Sequence, residues 1–408
     1  MMHEPGTRSL LVLLVGGVVV CAILMRGLLK RMRIPPMIGF MLLGFLLRLA
    51  DAKWGFLGEH SLGVLEFLAA IGVVVLLFRV GLESNLPGLV HQLPRAGVIW
   101  AGNVLLSGLP GYFAARLILD QALIPSLFVA IALTATSVGV SMRVWQERDA
   151  LKTANGELLI DVAELDDISG VALMAILFAV VPVLREGGGD QALLPAVVTT
   201  GGLFLLKLAV FSAVCVFFSR YIERRLTHLY TAVGDAPEPM LLVAGTGIVI
   251  AAVAGWLGFS LAIGALFAGL VFSRDPEAVK QEASFGPIYE LFTPFFFIGI
   301  GLKIQPDALG YAVIPAIVLA VVAIGGKIAG TALPALFQAG TVGALLIGTS
   351  MVPRAEIAMI VMERGHSLGS WAVPPEMYAG MVVVSAVTCF GAPLTLHWLL
   401  RRYPRTDL

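Results

Sequence analysis

The sequence predicts an all-α polytopic membrane protein of about 13 transmembrane helices, arranged as inverted repeats with two crossed broken helices. Three observations predict it. The 408 residues are 58% hydrophobic and only 13% charged, with a mean hydropathy of +0.93; soluble domains carry roughly 25% charged residues. Apolar runs of about 20 residues, enough to cross a bilayer, recur from end to end. Two of those runs, in well-separated halves of the chain, are interrupted by polar, glycine or proline residues.

The elements follow in order. The run 9–29 is long enough to span and is followed by Lys30, Arg31 and Arg33 rather than by a cleavage site, so it is expected to stay as the first helix. Runs 35–50, 62–82 and 94–119 come next. The run 122–146 contains Thr134-Ala-Thr-Ser-Val-Gly139, whose hydroxyls and glycine can satisfy unwound backbone. The run 156–183 holds the acids discussed below. The run 193–219 leads into a polar, basic stretch reaching Pro239, where the two halves divide. Runs 239–256, 258–273 and 286–302 are shorter. The run 310–336 carries Lys327 among Gly325, Gly326 and Gly330, small residues that let helices approach closely. The run 340–364 contains Met351-Val-Pro-Arg-Ala-Glu356; proline and charge at membrane depth are tolerated only where a broken helix is buried or lines a cavity. The run 375–400 is last, with a short tail in which no soluble regulatory domain is expected. Lys and Arg gather in alternate loops, which predicts an outside N-terminus and a cytoplasmic C-terminus.

Several chemistries are disfavoured. The net charge is zero and no basic tract points to nucleic acid. Cys21, Cys215 and Cys389 lie in apolar runs without metal or disulfide spacing, and the histidines are scattered, so no cofactor is expected. Gly187-Gly-Gly-Asp190 formally fits an intramembrane protease motif, but it lies in a charged loop and reads as a turn. The chain is not expected to be an enzyme.

Asp161-Val-Ala-Glu-Leu-Asp-Asp-Ile-Ser-Gly170 is the stretch that carries function. An ionised Asp at the centre of a membrane helix costs roughly 2.5–3.5 kcal/mol, so such acids read as an ion or proton pathway. Asp166 and Asp167 are adjacent, and Glu164 lies near one turn from Asp167. Lys327, mid-run, needs a counter-charge, and Asp166 or Asp167 is the natural partner. One helix triplet (94–119, 122–146, 156–183) holds a break and the acids; the last (310–336, 340–364, 375–400) holds Lys327 and the other break. Two interrupted helices in separate halves are the pattern of an inverted-repeat secondary transporter, with half-helix ends and free carbonyls at a midplane cation site.

Asp166-Asp167, Lys327, Ala135-Thr-Ser-Val-Gly139 and Pro353-Arg-Ala-Glu356, with Phe78-Arg-Val-Gly-Leu-Glu83 and Phe296-Phe-Ile-Gly-Ile-Gly-Leu302, resemble the signatures of the bacterial cation:proton antiporter-2 family, closest to its Nap-type sodium/proton antiporters. The resemblance implies the sodium/proton antiporter fold in a bacterial inner membrane, working as a homodimer among membrane lipids. Residues 1–93 and 239–309 would form a dimerisation panel. Residues 94–183 and 310–408 would form a transport core that moves like an elevator, with 184–238 as a linker helix and basic cytoplasmic loop. It implies electrogenic exchange of Na⁺, or Li⁺, for H⁺. Asp167 resembles the carboxylate that binds Na⁺ and carries a proton. Asp166 resembles the acid that pairs with Lys327 and sits beside the ion. Arg354 and Glu356 resemble a structural charged pair beside the second break. Thr136 and Ser137 are accessory ion-path candidates, with ordinary helix–helix hydrogen bonding an equal alternative. The chain departs from the pattern at Ala355, where glycine is usual, and at Glu164 and Asp161, which would extend an acidic path to Asp167 or add a proton site. Electroneutral K⁺/H⁺ exchange is the alternative, followed by a sodium-coupled organic-anion symporter.

Overall fold

The computed structural model describes residues 5–32, 34–83, 86–186, 190–222, 225, 238–257, 259–273 and 282–403. Regular structure among them is helical: α1 Pro5–Arg31, α2 Pro36–Trp54, α3 Glu59–Glu83, α4 Leu86–Phe113, α5 Leu123–Thr134, α6 Val138–Gln146, α7 Ala154–Glu186, α8 Asp190–Tyr221, α9 Glu238–Trp256, α10 Leu261–Phe272, α11 Glu282–Leu302, α12 Leu309–Ser350, α13 Glu356–Leu368 and α14 Pro375–Arg402. Helix α12 is two helices in one run, because Gly340 (φ 66°, ψ −178°) turns the chain between them. With α5/α6 and 341–350/α13 each taken as one interrupted pass, the described residues make the expected 13 passes. Eight spans are long and apolar enough by themselves to cross a membrane; Leu241–Trp256 and Leu261–Phe272 are shorter apolar helices. Of the protease-like Gly187-Gly-Gly-Asp190, residues 187–189 lie outside the described residues, and Asp190 opens α8.

The chain divides into two compact units, 1–84 with 206–304 and 85–205 with 305–408. In the first, α3 packs on α10 and α11, and α2 on α11. Glycine permits this closeness. A methyl on Gly81 would stand 2.2 Å from the Leu266 carbonyl oxygen, and one on Gly301 would stand 2.0 Å from that of Met41. Both glycines belong to the motifs singled out above, and their role is backbone approach. Phe78 fills the remaining space against Phe285, with ring centroids 5.5 Å apart.

The second unit is built from the two triplets, α4–α7 and α12–α14. Helix α12 packs along both α4 and α14. Gly102 and Gly330 face one another so closely that a methyl on either would lie 2.6 Å from the other's carbonyl oxygen. One core cluster joins Ile99, Trp145, Val162, Ile347 and Leu396, so both triplets share it. Large apolar side chains such as Trp256 (88% exposed) and Phe337 (92%) point outward. In water such patches promote association; on a multi-pass membrane protein they meet lipid.

Candidate functional site

Both helix breaks fall in the second unit. The first leaves Ala135, Thr136 and Ser137 between α5 and α6; the second leaves residues 351–355 between α12 and α13. They are tied directly, since the Ser137 amide donates to the Pro353 carbonyl at 2.9 Å. Two further bonds hold the crossing. The Ser141 hydroxyl donates to the Ser350 carbonyl at 2.8 Å, and the Trp145 indole to the Ser350 hydroxyl at 2.9 Å.

Each break exposes a helix C-terminus, and each C-terminus is met by a fully buried cation. The Lys327 ammonium donates to the carbonyl of Thr134, the last residue of α5. The Arg354 guanidinium donates to the carbonyls of Met351 (3.4 Å) and Val352 (3.3 Å), just beyond α12, and to that of Ala323 (3.3 Å). Carbonyl ends of helices carry partial negative charge, so cations belong there. Conversely, Glu356 is the first residue of α13, where the partial charge is positive and an acid is favoured. Arg354 and Glu356 therefore serve opposite helix ends. Among the described residues no ion pair joins them.

Unwound backbone at membrane depth must find partners, and α14 supplies them for Arg354. The Arg354 amide donates to the Thr388 hydroxyl (3.1 Å), while its carbonyl accepts from the Ser385 hydroxyl (2.6 Å) and the Cys389 thiol (3.0 Å). Positions 385, 388 and 389 share one face of a helix.

Asp166 and Asp167 leave α7 in different directions. Asp166 is 1% exposed and Lys327 is 0% exposed. Their closest approach is 3.4 Å, from the ammonium to Oδ2, with Oδ1 at 3.5 Å. The acid that pairs with Lys327 is thus Asp166. Its tighter contact was not anticipated from sequence: the Asn103 amide on α4 donates to Asp166 Oδ1 at 2.6 Å. The Asp166 backbone carbonyl also accepts from Ser169, whose hydroxyl receives the Trp100 indole at 2.8 Å. Asp167 is half-buried, and among the described residues no hydrogen bond or ion pair engages its carboxylate. The charged groups that act on it are Asp166, Glu356, Lys327 and Glu164, three acids against one base.

The other predicted residues are placed as follows. Thr136 and Ser137 are buried in the first break, and among the described residues the Thr136 hydroxyl has no hydrogen-bond partner. Glu164 and Asp161 are half-buried on α7; the charged neighbour of Asp161 is Glu157, one turn earlier. The site therefore combines a locked carboxylate–ammonium pair, an unengaged carboxylate, carbonyl-rich breaks and a free buried hydroxyl. Oxygen groups of this kind are what hard monovalent cations bind. Among the described residues no histidine, cysteine or acid cluster could hold a resident metal.

Comparison with known proteins agrees with the geometry. Residues 17–402 match the family described as "Sodium/hydrogen exchanger, transmembrane". A high-affinity Na⁺/H⁺ antiporter, NhaS3, from Synechocystis is 29% identical over 339 residues, covering 81% of this chain and 70% of that protein. A Na⁺/H⁺ antiporter from Enterococcus hirae is 26% identical over 379 residues, 91% of this chain and 94% of that one. Among solved structures, the sodium proton antiporter MjNhaP1 from Methanocaldococcus jannaschii superposes with a TM-score of 0.67 over 97% of both chains at 14% identity, a likeness of fold.

Proposed function

This chain belongs to the transmembrane sodium/hydrogen exchanger family, and on that premise we propose that it is a secondary active antiporter exchanging Na⁺ or Li⁺ for H⁺ by alternating access. The observation that carries this reading is the unequal state of the two adjacent acids: Asp166 held by Lys327, Asp167 free. A carboxylate without a partner, beside three other acids and one base, binds either a proton or a small cation, and not both. Either one neutralises Asp167 and lets the loaded site cross a low-dielectric barrier; with neither bound, Asp167 is a charge without a counter-ion and the site stays in place. That asymmetry enforces exchange.

Lys327 adds the second proton. Arrival of Na⁺ at Asp167 draws Asp166 toward the cation, the ion pair opens, and Lys327 gives up its proton. Two protons for one Na⁺ moves a net charge, so the membrane potential drives the cycle at about 2.3 kcal/mol per charge per 100 mV. The Thr136 hydroxyl and the carbonyls of the first break complete the cation's oxygen ligands. In this reading residues 85–205 and 305–408 form the unit that carries the ion. The Lys/Arg distribution supports a cytoplasmic C-terminus, and the family resemblance supports a homodimer in a bacterial inner membrane.

The test is ion-driven proton movement in proteoliposomes, comparing Na⁺, Li⁺ and K⁺ under an imposed potential. Na⁺- and Li⁺-driven exchange that responds to potential and is lost in Asp167→Asn is the expected result. Exchange confined to K⁺ and indifferent to potential would replace this reading with the electroneutral one.

A further inference from the structure

The Asn103 amide binds one oxygen of Asp166 alone, Oδ1 at 2.6 Å, whereas the Lys327 ammonium spans both, 3.4 Å from Oδ2 and 3.5 Å from Oδ1. Asn103 is 0% exposed, as is Thr331 on α12, whose hydroxyl lies 3.5 Å from Asn103 Oδ1. The amide can face only one way. Its oxygen turned toward an ionised carboxylate at that distance would repel it, and Thr331 gives that oxygen a donor on the opposite side. The backbone approach of α4 and α12 at Gly102 and Gly330 brings these two side chains together.

We propose that Asn103, oriented by Thr331, is a positioning residue for ion exchange: it keeps Asp166 held by Oδ1 after Lys327 has let go, leaving Oδ2 free to turn to the incoming cation. This rests on the antiport cycle above. When the ion pair opens, a buried carboxylate stripped of its ammonium would be left without a donor, a costly state. The Asn103 amide is neutral and does not titrate, so it remains through every protonation change of its neighbours. It stabilises the cation-loaded state more than the proton-loaded one, in which Lys327 also serves Asp166. Its effect is therefore expected in cation affinity rather than in turnover.

Two readouts on the full-length protein test this. Asn103→Leu keeps the shape and removes the donor. It should raise the apparent KM for Na⁺ in proteoliposomes about tenfold, the worth of one hydrogen bond to a charged group, with the maximal rate within about twofold of wild type. In purified protein, the Na⁺ concentration that raises Tm should move by the same factor. Thr331→Val should shift both in the same direction by less, and the double variant should be no worse than Asn103→Leu, because Thr331 acts through the amide. Unchanged Na⁺ dependence in both readouts, a loss confined to maximal rate or folded yield, or full additivity with Thr331→Val would each overturn the proposal. Wild-type protein that binds Na⁺ without exchanging it would sink the antiport reading while the Tm series still decides Asn103. Wild-type protein that neither binds nor exchanges Na⁺ would sink both.

Discussion

At the scale of single residues, the site separates groups that change state from groups that hold others in place. In the proposed cycle Lys327 belongs to the first kind; it reaches both Asp166 and the Thr134 carbonyl. Replacing it by alanine should leave Na⁺-driven proton movement but remove its response to membrane potential, because the second proton carrier is gone; flux measured at two clamped potentials checks this. Thr388 belongs to the second kind. Thr388→Val removes the acceptor of the Arg354 amide inside the break and should cost about 1–3 kcal/mol, read as a lower Tm in detergent. These residues differ in how visible they are in a sequence. Asp166, Asp167, Lys327 and Arg354 announce themselves because charge in an apolar run demands an explanation. Asn103 does not: one neutral amide in a membrane helix has no pattern to distinguish it. The Thr134 carbonyl is invisible by nature, being backbone. Arg354 and Glu356 look like a pair by proximity in the chain, but each is drawn to the opposite end of a different half-helix.

At the scale of elements, the breaks were legible from Thr134–Gly139 and Met351–Glu356 because helix formers give way there to hydroxyls, proline and charge. The contact of α4 with α12 was only half legible. The small residues around Lys327 signal a close approach, but nothing in the sequence says that Gly102 stands opposite. That contact is sensitive to size. Gly330→Leu would push side-chain atoms into the Gly102 carbonyl and Asn103, separating the helices that align Asn103 with Asp166. It should cost at least about 1–3 kcal/mol and reduce exchange more than it reduces the amount of folded protein; size-exclusion profile and flux per folded molecule distinguish the two. The passage from α12 into its second half depends on Gly340, whose φ of 66° and extended ψ favour glycine alone, so the helix that the sequence divided at residue 336 in fact turns at this glycine.

At the scale of the whole molecule, hydropathy was enough for the class and the number of passes, because bilayer thickness fixes helix length. It says nothing of how the passes group: residues 206–304 join 1–84 across an intervening stretch of more than a hundred residues, and the grouping expected above, 1–93 with 239–309, came from the family signatures instead. The orientation is directly testable. A fluorescent protein fused after Leu408 should fluoresce, and an export-dependent phosphatase fused there should be inactive; the opposite pair of results would reverse the proposed orientation.

The bond between Ser137 and Pro353 has a consequence for how such a protein can diversify. It runs from amide to carbonyl, so no side chain takes part in it, and almost any substitution at either position leaves it intact. This backbone tie between the breaks is thereby insulated from drift, while the hydroxyls and carboxylates around it stay free to vary. Descendants of one ancestral scaffold could change cargo, affinity or proton count without having to reinvent the joint between the two halves of the site.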